Sequence, residues 1–379
     1  MKKRFLLPFA ALLLPLAGCS MEIGGDVTLT VEDMNGRTVS INQSKLKNVV
    51  CIGAGALRMY SYVGDVNLLS GVEDIDNPNK IFMWQDVARP YYLVNKDVFA
   101  KLPSCGVGGP RNQAAEAEKI LACNPDIVIS EYEDVDAANA LQEKIGVPVV
   151  TLKYGPKTVF DANVKKSLSM LGFIFNRKEK SDALVSYIDS IETELQNKTK
   201  DVKDEDKPSI YVGCVGNWGQ TDIYATSTTY PMFTVANIKN AVAGQVSGQG
   251  NQKIDPEKFQ ALKMDKIILD ASGIANFKAT YQKEPALFDN LEPVKKGEVY
   301  LQMPYNAYYT NLETAAIDAY YCAKVAYPTI FKDLDIAAKA NEITEKFLGK
   351  ACYSDILACG SSFGGFQKID NLGSWLASH

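Results

Sequence analysis

Residues 116–129 read EAEKILACNPDIVI and residues 255–269 read DPEKFQALKMDKIIL. Each copy holds a Glu-Lys pair, an apolar helical stretch, a short turn and an unbroken apolar run. A strand that is apolar without alternation is covered on both faces, as in a parallel sheet flanked by helices. The neighbourhood of each copy repeats the alternation of strand and helix. Around the first lie KNVVCIG, ALRMYSYVG, LLSGVED and ANALQEKIGVPVVTL; around the second lie PSIYVGCVG, KKGEVYLQ and TNLETAAIDAYYCAKVAYP. The reading is α/β, with two lobes of mainly parallel sheet over residues 47–157 and 205–350. Residues 158–200 separate them with helical periodicity and no strand signal, and Gly172 with the polar NRKEK patch bends or divides that segment. Two similar lobes on either side of a helical connector imply a cleft between them.

The ends read differently. MKKRFLLPFAALLLPLAGCS opens on three cationic residues, continues in a short apolar run and leaves through Leu16-Ala17-Gly18-Cys19. This is the three-part pattern of a secretory signal, too short for a comfortable membrane span. Its exit resembles a bacterial lipobox, which implies a signal peptide over 1–18 and a lipid on Cys19; a plain signal with a chance Cys is the alternative. Acyl chains would then anchor the protein to the outer face of the cytoplasmic membrane. Residues 19–46 read as a tether followed by a hairpin, VTLTVEDMNGRTVSI, turning at Asn35-Gly36. The last segment, 351–379, is rich in Gly and Ser and reads as a loose tail.

Composition removes several classes of function. The net charge is −5, which argues against a nucleic-acid partner. The one histidine is His379, which leaves no Ser-His-Asp triad and no His-based metal site. Besides Cys19 there are seven scattered cysteines, an odd number that is no disulfide framework. Cys51, Cys123, Cys214 and Cys322 sit in apolar runs and read as core; Cys352 and Cys359 are a pair or two separate thiols. VVCIGAGALRMY has the Gly-x-Gly of a dinucleotide fingerprint, with Glu73 and Asp74 placed where a ribose-binding acid would stand. Arg58 occupies the position of the third glycine. An exported nucleotide-dependent oxidoreductase is therefore the remote alternative.

VVCIGAGALRMYSYVGDVNLLSGVE, AEKILACNPDIVIS, DPEKFQALKMDKIILD and LFDNLEPVKKGEVYLQMPYNAYY resemble the substrate-binding proteins of bacterial ABC importers for iron-siderophores, haem and cobalamin. The resemblance implies two Rossmann-like lobes joined by a long connecting helix, a ligand cleft between them, and no catalysis. It also implies an exposed Glu on each lobe that docks on Arg pockets of the permease, here Glu118 and Glu257. A carboxylate near a helix start is favoured by the dipole and pairs well with Arg; an ordinary solvated Glu is the plain alternative. For the cleft, the loops after the strands offer Arg58, Trp84, Arg89, Arg111, Trp218, Tyr305 and Tyr308. Arg suits carboxylates and oxyanions, and aromatic faces suit flat chelates. The plain alternatives are a surface ion pair for Arg58, a solvated side chain for Arg111 and core packing for one or two of the PYNAYYTN tyrosines. The expectation is a monomeric, lipid-anchored receptor with no permanently bound cofactor. Its ligand is a metal chelate, a siderophore first and then haem or a corrinoid. An oxyanion such as molybdate or tungstate is the alternative within the same import class.

Overall fold

The computed structural model describes residues 26–80, 87–109, 114–132, 134–216 and 221–379. The chain opens on an antiparallel hairpin, β1 (Thr28–Glu32) with β2 (Thr38–Asn42). Arg37 fastens it to the first lobe by pairing with Asp33 and donating to Asn139 Oδ1, Gln142 Oε1 and the Val149 carbonyl.

Five parallel strands form the first sheet: β3 (Val49–Ile52), β4 (Leu69–Glu73), β5 (Ser104–Gly106), β6 (Ile127–Ser130) and β7 (Val149–Thr151). Their order is β5-β4-β3-β6-β7. The chain runs outward from β3 to β5 and then crosses back to β6. The connections carry α1 (Ala56–Val63), α2 (Pro90–Phe99), α3 (Ala117–Ala122) and α4 (Val135–Ile145).

The second sheet takes β8 (Ser209–Gly213), β10 (Lys239–Asn240), β12 (Lys266–Asp270), β13 (Val299–Gln302) and β14 (Gln367–Ile369) in the order β10-β8-β12-β13-β14. A small ribbon of β9 (Ala225–Ser227) and β11 (Asn251–Lys253) stands beside it. The direction of strand addition reverses between β3 and β6 in the first sheet and between β8 and β12 in the second. Ligands of open α/β sheets bind outside the carboxyl ends of the strands at such a reversal.

Alternation along the strands shows where the cores lie. Val49 and Cys51 face one cluster while Val50 and Ile52 face another. In the second sheet Ile210, Val212 and Ile268 face the same cluster as Val49, while Tyr211, Ile267 and Leu269 face a third. Both sheets therefore turn one face to a single shared core. The helix Leu312–Ala326, with 14 of its residues buried, fills that core.

The segment 158–200 is a 3-10 turn, Thr158–Phe160, then α5 (Ala162–Ile174) and α6 (Lys178–Thr199). The division falls beside Gly172 and the NRKEK patch. A Cβ on Gly172 would lie 2.0 Å from Ser181 Oγ, so the two helices close on each other there. Lys165 ties them further along, at 2.6 Å from Asp189 and 3.0 Å from Glu192. The 22-residue α6 makes the crossing to the second sheet.

The tail differs from the sequence reading. Residues 351–379 are not loose: β14 extends the second sheet antiparallel to β13, and helices Tyr353–Leu357 and Leu372–Ser378 flank it. Ile369, Leu372 and Leu376 bury into the outer core of the second lobe, and Asn371 caps the last helix by accepting from Ser374 N. The glycines that suggested disorder serve the turn before β14, where Gly364 and Gly365 take φ of 81° and 88°. All seven described cysteines are buried and none is joined in a disulfide, Cys352 and Cys359 included.

Candidate functional site

The carboxyl ends of the first sheet bring together Gly53 after β3, Glu73 at the end of β4 and Gly108-Gly109 after β5. The second sheet contributes the loop between β13 and the helix Leu312–Ala326, residues 303–311. This loop crosses to the first lobe. Tyr308 donates its hydroxyl to Glu73 Oε2 at 2.5 Å, and Gly53 N donates to Glu73 Oε1 at 3.1 Å. Burial pushes the Glu73 carboxyl up to about 7 against those two hydrogen bonds. Tyr309 packs its ring against Tyr154 at 4.5 Å between centroids. Asn306 holds the other flank by donating to the Gly216 carbonyl at 2.7 Å.

Arg58 clamps the same loop. It is the third residue of α1 and fully buried. Its Nε donates to Asn311 Oδ1 at 3.1 Å, and Nη2 donates to the carbonyls of Ala307 and Tyr308 at 2.8 and 2.9 Å. Nη1 donates to Tyr154 Oη at 3.3 Å, and the guanidinium lies 4.7 Å above the Tyr91 ring. A planar fork with several donors suits this crowded set of acceptors better than an ammonium would. The Gly-x-Gly before α1 serves the same packing. Gly55 has a φ of 97°, and a Cβ there would lie 2.4 Å from Tyr154 Oη, which donates to the Gly55 carbonyl at 3.0 Å. Tyr154 thus fills the space against Gly55.

Arg89 is also fully buried and turned inward. It pairs with Asp76, donates to the Ile75 carbonyl at 2.9 Å and stacks 4.6 Å from the Tyr92 ring. It pins the turn after β4. Tyr305 is buried against Tyr230, at 6.1 Å, and its carbonyl accepts from Asn311. The structure therefore gathers Arg58, Tyr305 and Tyr308 into one interlobe network and places Arg89 behind it. Trp84, Arg111 and Trp218 lie outside the described residues, as do Cys19 and the segment 1–18.

In the second sheet, Asp270 at the end of β12 accepts from Ser272 N at 2.9 Å and from Gln302 Nε2 at 3.3 Å. Burial pushes its carboxyl up to about 6. Among the described residues, no group of three or more His, Cys, Asp or Glu is arranged to hold a metal ion. No helix among them is long and apolar enough to cross a membrane.

Glu118 and Glu257 stand exposed in the first turns of α3 and of the helix Pro256–Ala261. The local arrangement repeats between lobes. Lys119 pairs with Glu116 and Lys258 with Asp255. Among the described residues neither Glu118 nor Glu257 makes an ion pair. Sequence reasoning missed Tyr154 and Asn311 as site residues. It named Glu73 only as a ribose-binding acid.

The family model for periplasmic binding proteins matches residues 90–304, more than half of the chain. An uncharacterized ABC transporter substrate-binding lipoprotein of Bacillus subtilis (strain 168), YvrC, is 26% identical over 155 residues, 40% of this chain and 47% of that protein. The chain thus matches about half the length of that curated relative. Among solved structures, a periplasmic solute binding protein from Veillonella parvula DSM 2008 has a TM-score of 0.67 at 19% identity, over 88% of this chain and 96% of that one. The molybdate periplasmic binding protein MolA of Haemophilus influenzae, bound to molybdate, has a TM-score of 0.64 at 17% identity, over 85% and 98%. At these identities the likeness is one of fold.

Proposed function

The chain belongs to the periplasmic binding protein family, and on that premise we propose that it is an extracytoplasmic solute receptor that delivers an iron complex to an ABC importer permease. The observation that carries this reading is the pair of strand-order reversals whose carboxyl ends meet across one bridging loop, Met303–Asn311. The site binds without covalent chemistry. The lipid on Cys19 holds it at the outer face of the membrane, and Glu118 and Glu257 dock on the permease as a matched pair, one from each lobe. The chain acts as a monomer with no resident cofactor.

A siderophore is the favoured ligand, with haem or a corrinoid next. The tyrosines around the bridging loop support a ligand with flat or hydroxylated surface. The MolA likeness favours a second reading, an oxyanion such as molybdate. Against it, Arg58 and Arg89 direct their guanidinium groups to protein acceptors, and the bridging loop meets a carboxylate in Glu73. Tryptophan fluorescence titrations of the purified chain with a ferric catecholate, a ferric hydroxamate, haemin, cyanocobalamin and molybdate separate these readings. Saturable quenching by an iron complex is expected. Response to molybdate alone moves the ligand to the oxyanion class, and no response to any of them removes the receptor reading. Glu118→Ala with Glu257→Ala is expected to leave binding unchanged and to stop ligand-stimulated ATP hydrolysis by the reconstituted importer.

A further inference from the structure

The geometry points to Tyr308 as an internal stand-in for the ligand: its phenol occupies a hydroxyl-binding subsite of the cleft, and a hydroxyl of the solute enters by replacing it. This rests on the reading of the cleft as the solute site. It adds the chemical class that one part of the ligand must have.

The subsite belongs wholly to the first lobe, whereas the phenol that fills it comes from the second. Its floor is the Glu73 carboxylate, with Oε1 held by Gly53 N at 3.1 Å and Oε2 accepting from the phenol at 2.5 Å. Its wall is the Gly108-Gly109 turn, where the two glycines take φ of 64° and 86°. A Cβ on Gly108 would lie 2.8 Å from Glu73 Cβ, so the turn closes directly over the carboxylate. The subsite thus presents a carboxylate acceptor with a tight turn closed over it. Above pH 7, where Glu73 is ionised, a neutral hydroxyl donates to it as the phenol does, and an oxyanion has no proton to give.

The segment that delivers the phenol is strained. Tyr308 and Tyr309 take φ of 51° and 67°, a region where large side chains are outliers. Strain of this kind persists where the surroundings over-determine it and marks clamps and switches. Here Arg58 grips the loop carbonyls and Glu73 the phenol. A contact held under strain is more easily exchanged for an equivalent one from a ligand than a relaxed contact is.

The test uses the full mature chain and small probes. In Tyr308→Gly the subsite is vacated and glycine suits the left-handed backbone. p-Cresol, the free form of the tyrosine side chain, is compared by calorimetry with p-toluate and toluene at about pH 8, where Glu73 is ionised. The expected result is that p-cresol binds roughly tenfold tighter than either, the size of one hydrogen bond to a charged acceptor. That preference should vanish in Tyr308→Gly with Glu73→Ala. Equal binding of p-toluate or toluene, or a preference that survives loss of Glu73, overturns the hydroxyl subsite. A second variant, Tyr308→Phe, keeps the ring and its packing. It should bind catechol about threefold or more tighter than the wild type, because the competing hydroxyl is gone; unchanged affinity overturns the displacement. None of these probes contains iron. A chain that binds a ferric chelate but fails here loses the hydroxyl subsite alone, and one that passes here but binds no chelate loses the iron reading alone.

Discussion

Arg58 joins parts of the chain some 250 residues apart, and its worth is set by what it would leave behind. Arg58→Ala strips donors from the Ala307 and Tyr308 carbonyls and from Asn311 Oδ1, all in a buried setting. The expected loss is about 3 kcal/mol in urea unfolding. Arg58→Lys should recover less than half, because one ammonium does not reach this spread of acceptors. Glu73 contributes a pH dependence. Burial raises its carboxyl from 4.5 to about 7. Below pH 4.5 both folded and unfolded chains carry the proton and stability is complete. Between 4.5 and 7 the unfolded chain releases it first, so stability falls as pH rises, by on the order of 3 kcal/mol. Asp270, raised from 3.8 to about 6 by burial, acts in the same direction. Urea midpoints from pH 4.5 to 7.5 should therefore decline in the wild type and decline less in Glu73→Gln, with the Asp270 share remaining. An equal decline in both would remove Glu73 as a source. Little of this network was legible in the sequence. GAGALR announced a tight turn and a misplaced Arg, but the acceptors of that Arg lie in MPYNAYYTN and at Tyr154, and no local pattern links them.

At the scale of elements the sequence was far more informative, and the reason is physical. Strands such as VVCI and IVIS are buried along their whole length and read as unbroken apolar runs, while α3 and the helix Pro256–Ala261 begin at matched Glu-Lys pairs. The tail misled because its glycines and serines dominate the composition, whereas its buried positions decide its fate: Tyr353 and Ile356 in the shared core, and Ile369, Leu372 and Leu376 in the outer core of the second lobe. The connector was read correctly in its division, and Gly172 explains it. The contact with Ser181 leaves no room for a methyl group. Gly172→Ala is expected to cost about 1–3 kcal/mol by overpacking, despite the better helix propensity of alanine. Adding Ser181→Gly, which removes both the Cβ and the Oγ at the contact, should recover part of that loss. If Gly172→Ala alone stabilises the chain in thermal melts, the close crossing of α5 and α6 is not what fixes this residue.

For the molecule as a whole, the shared core governs how the two lobes behave. Val49 and Cys51 of the first sheet, Ile210 and Val212 of the second, and the helix Leu312–Ala326 belong to one continuous cluster. Two lobes hinged on a loop would each own a closed core and unfold or rotate separately. Here a rotation would shear buried side chains past one another, and packed interiors resist continuous deformation. Selectivity must then come from exchange of local contacts such as the Met303–Asn311 loop, with the lobes holding their mutual orientation. Two measurements follow. Urea unfolding monitored by near-ultraviolet dichroism and by tryptophan fluorescence should give one coincident transition, because loss of the shared core takes both sheets with it. Small-angle scattering of the chain alone and saturated with whichever of the titrated solutes binds best should superimpose. Two separated transitions would mean that the lobes own independent cores, and a contraction of the scattering envelope on binding would mean that they close as rigid bodies about α6. Either outcome would shift control of the site from the bridging loop to the connector.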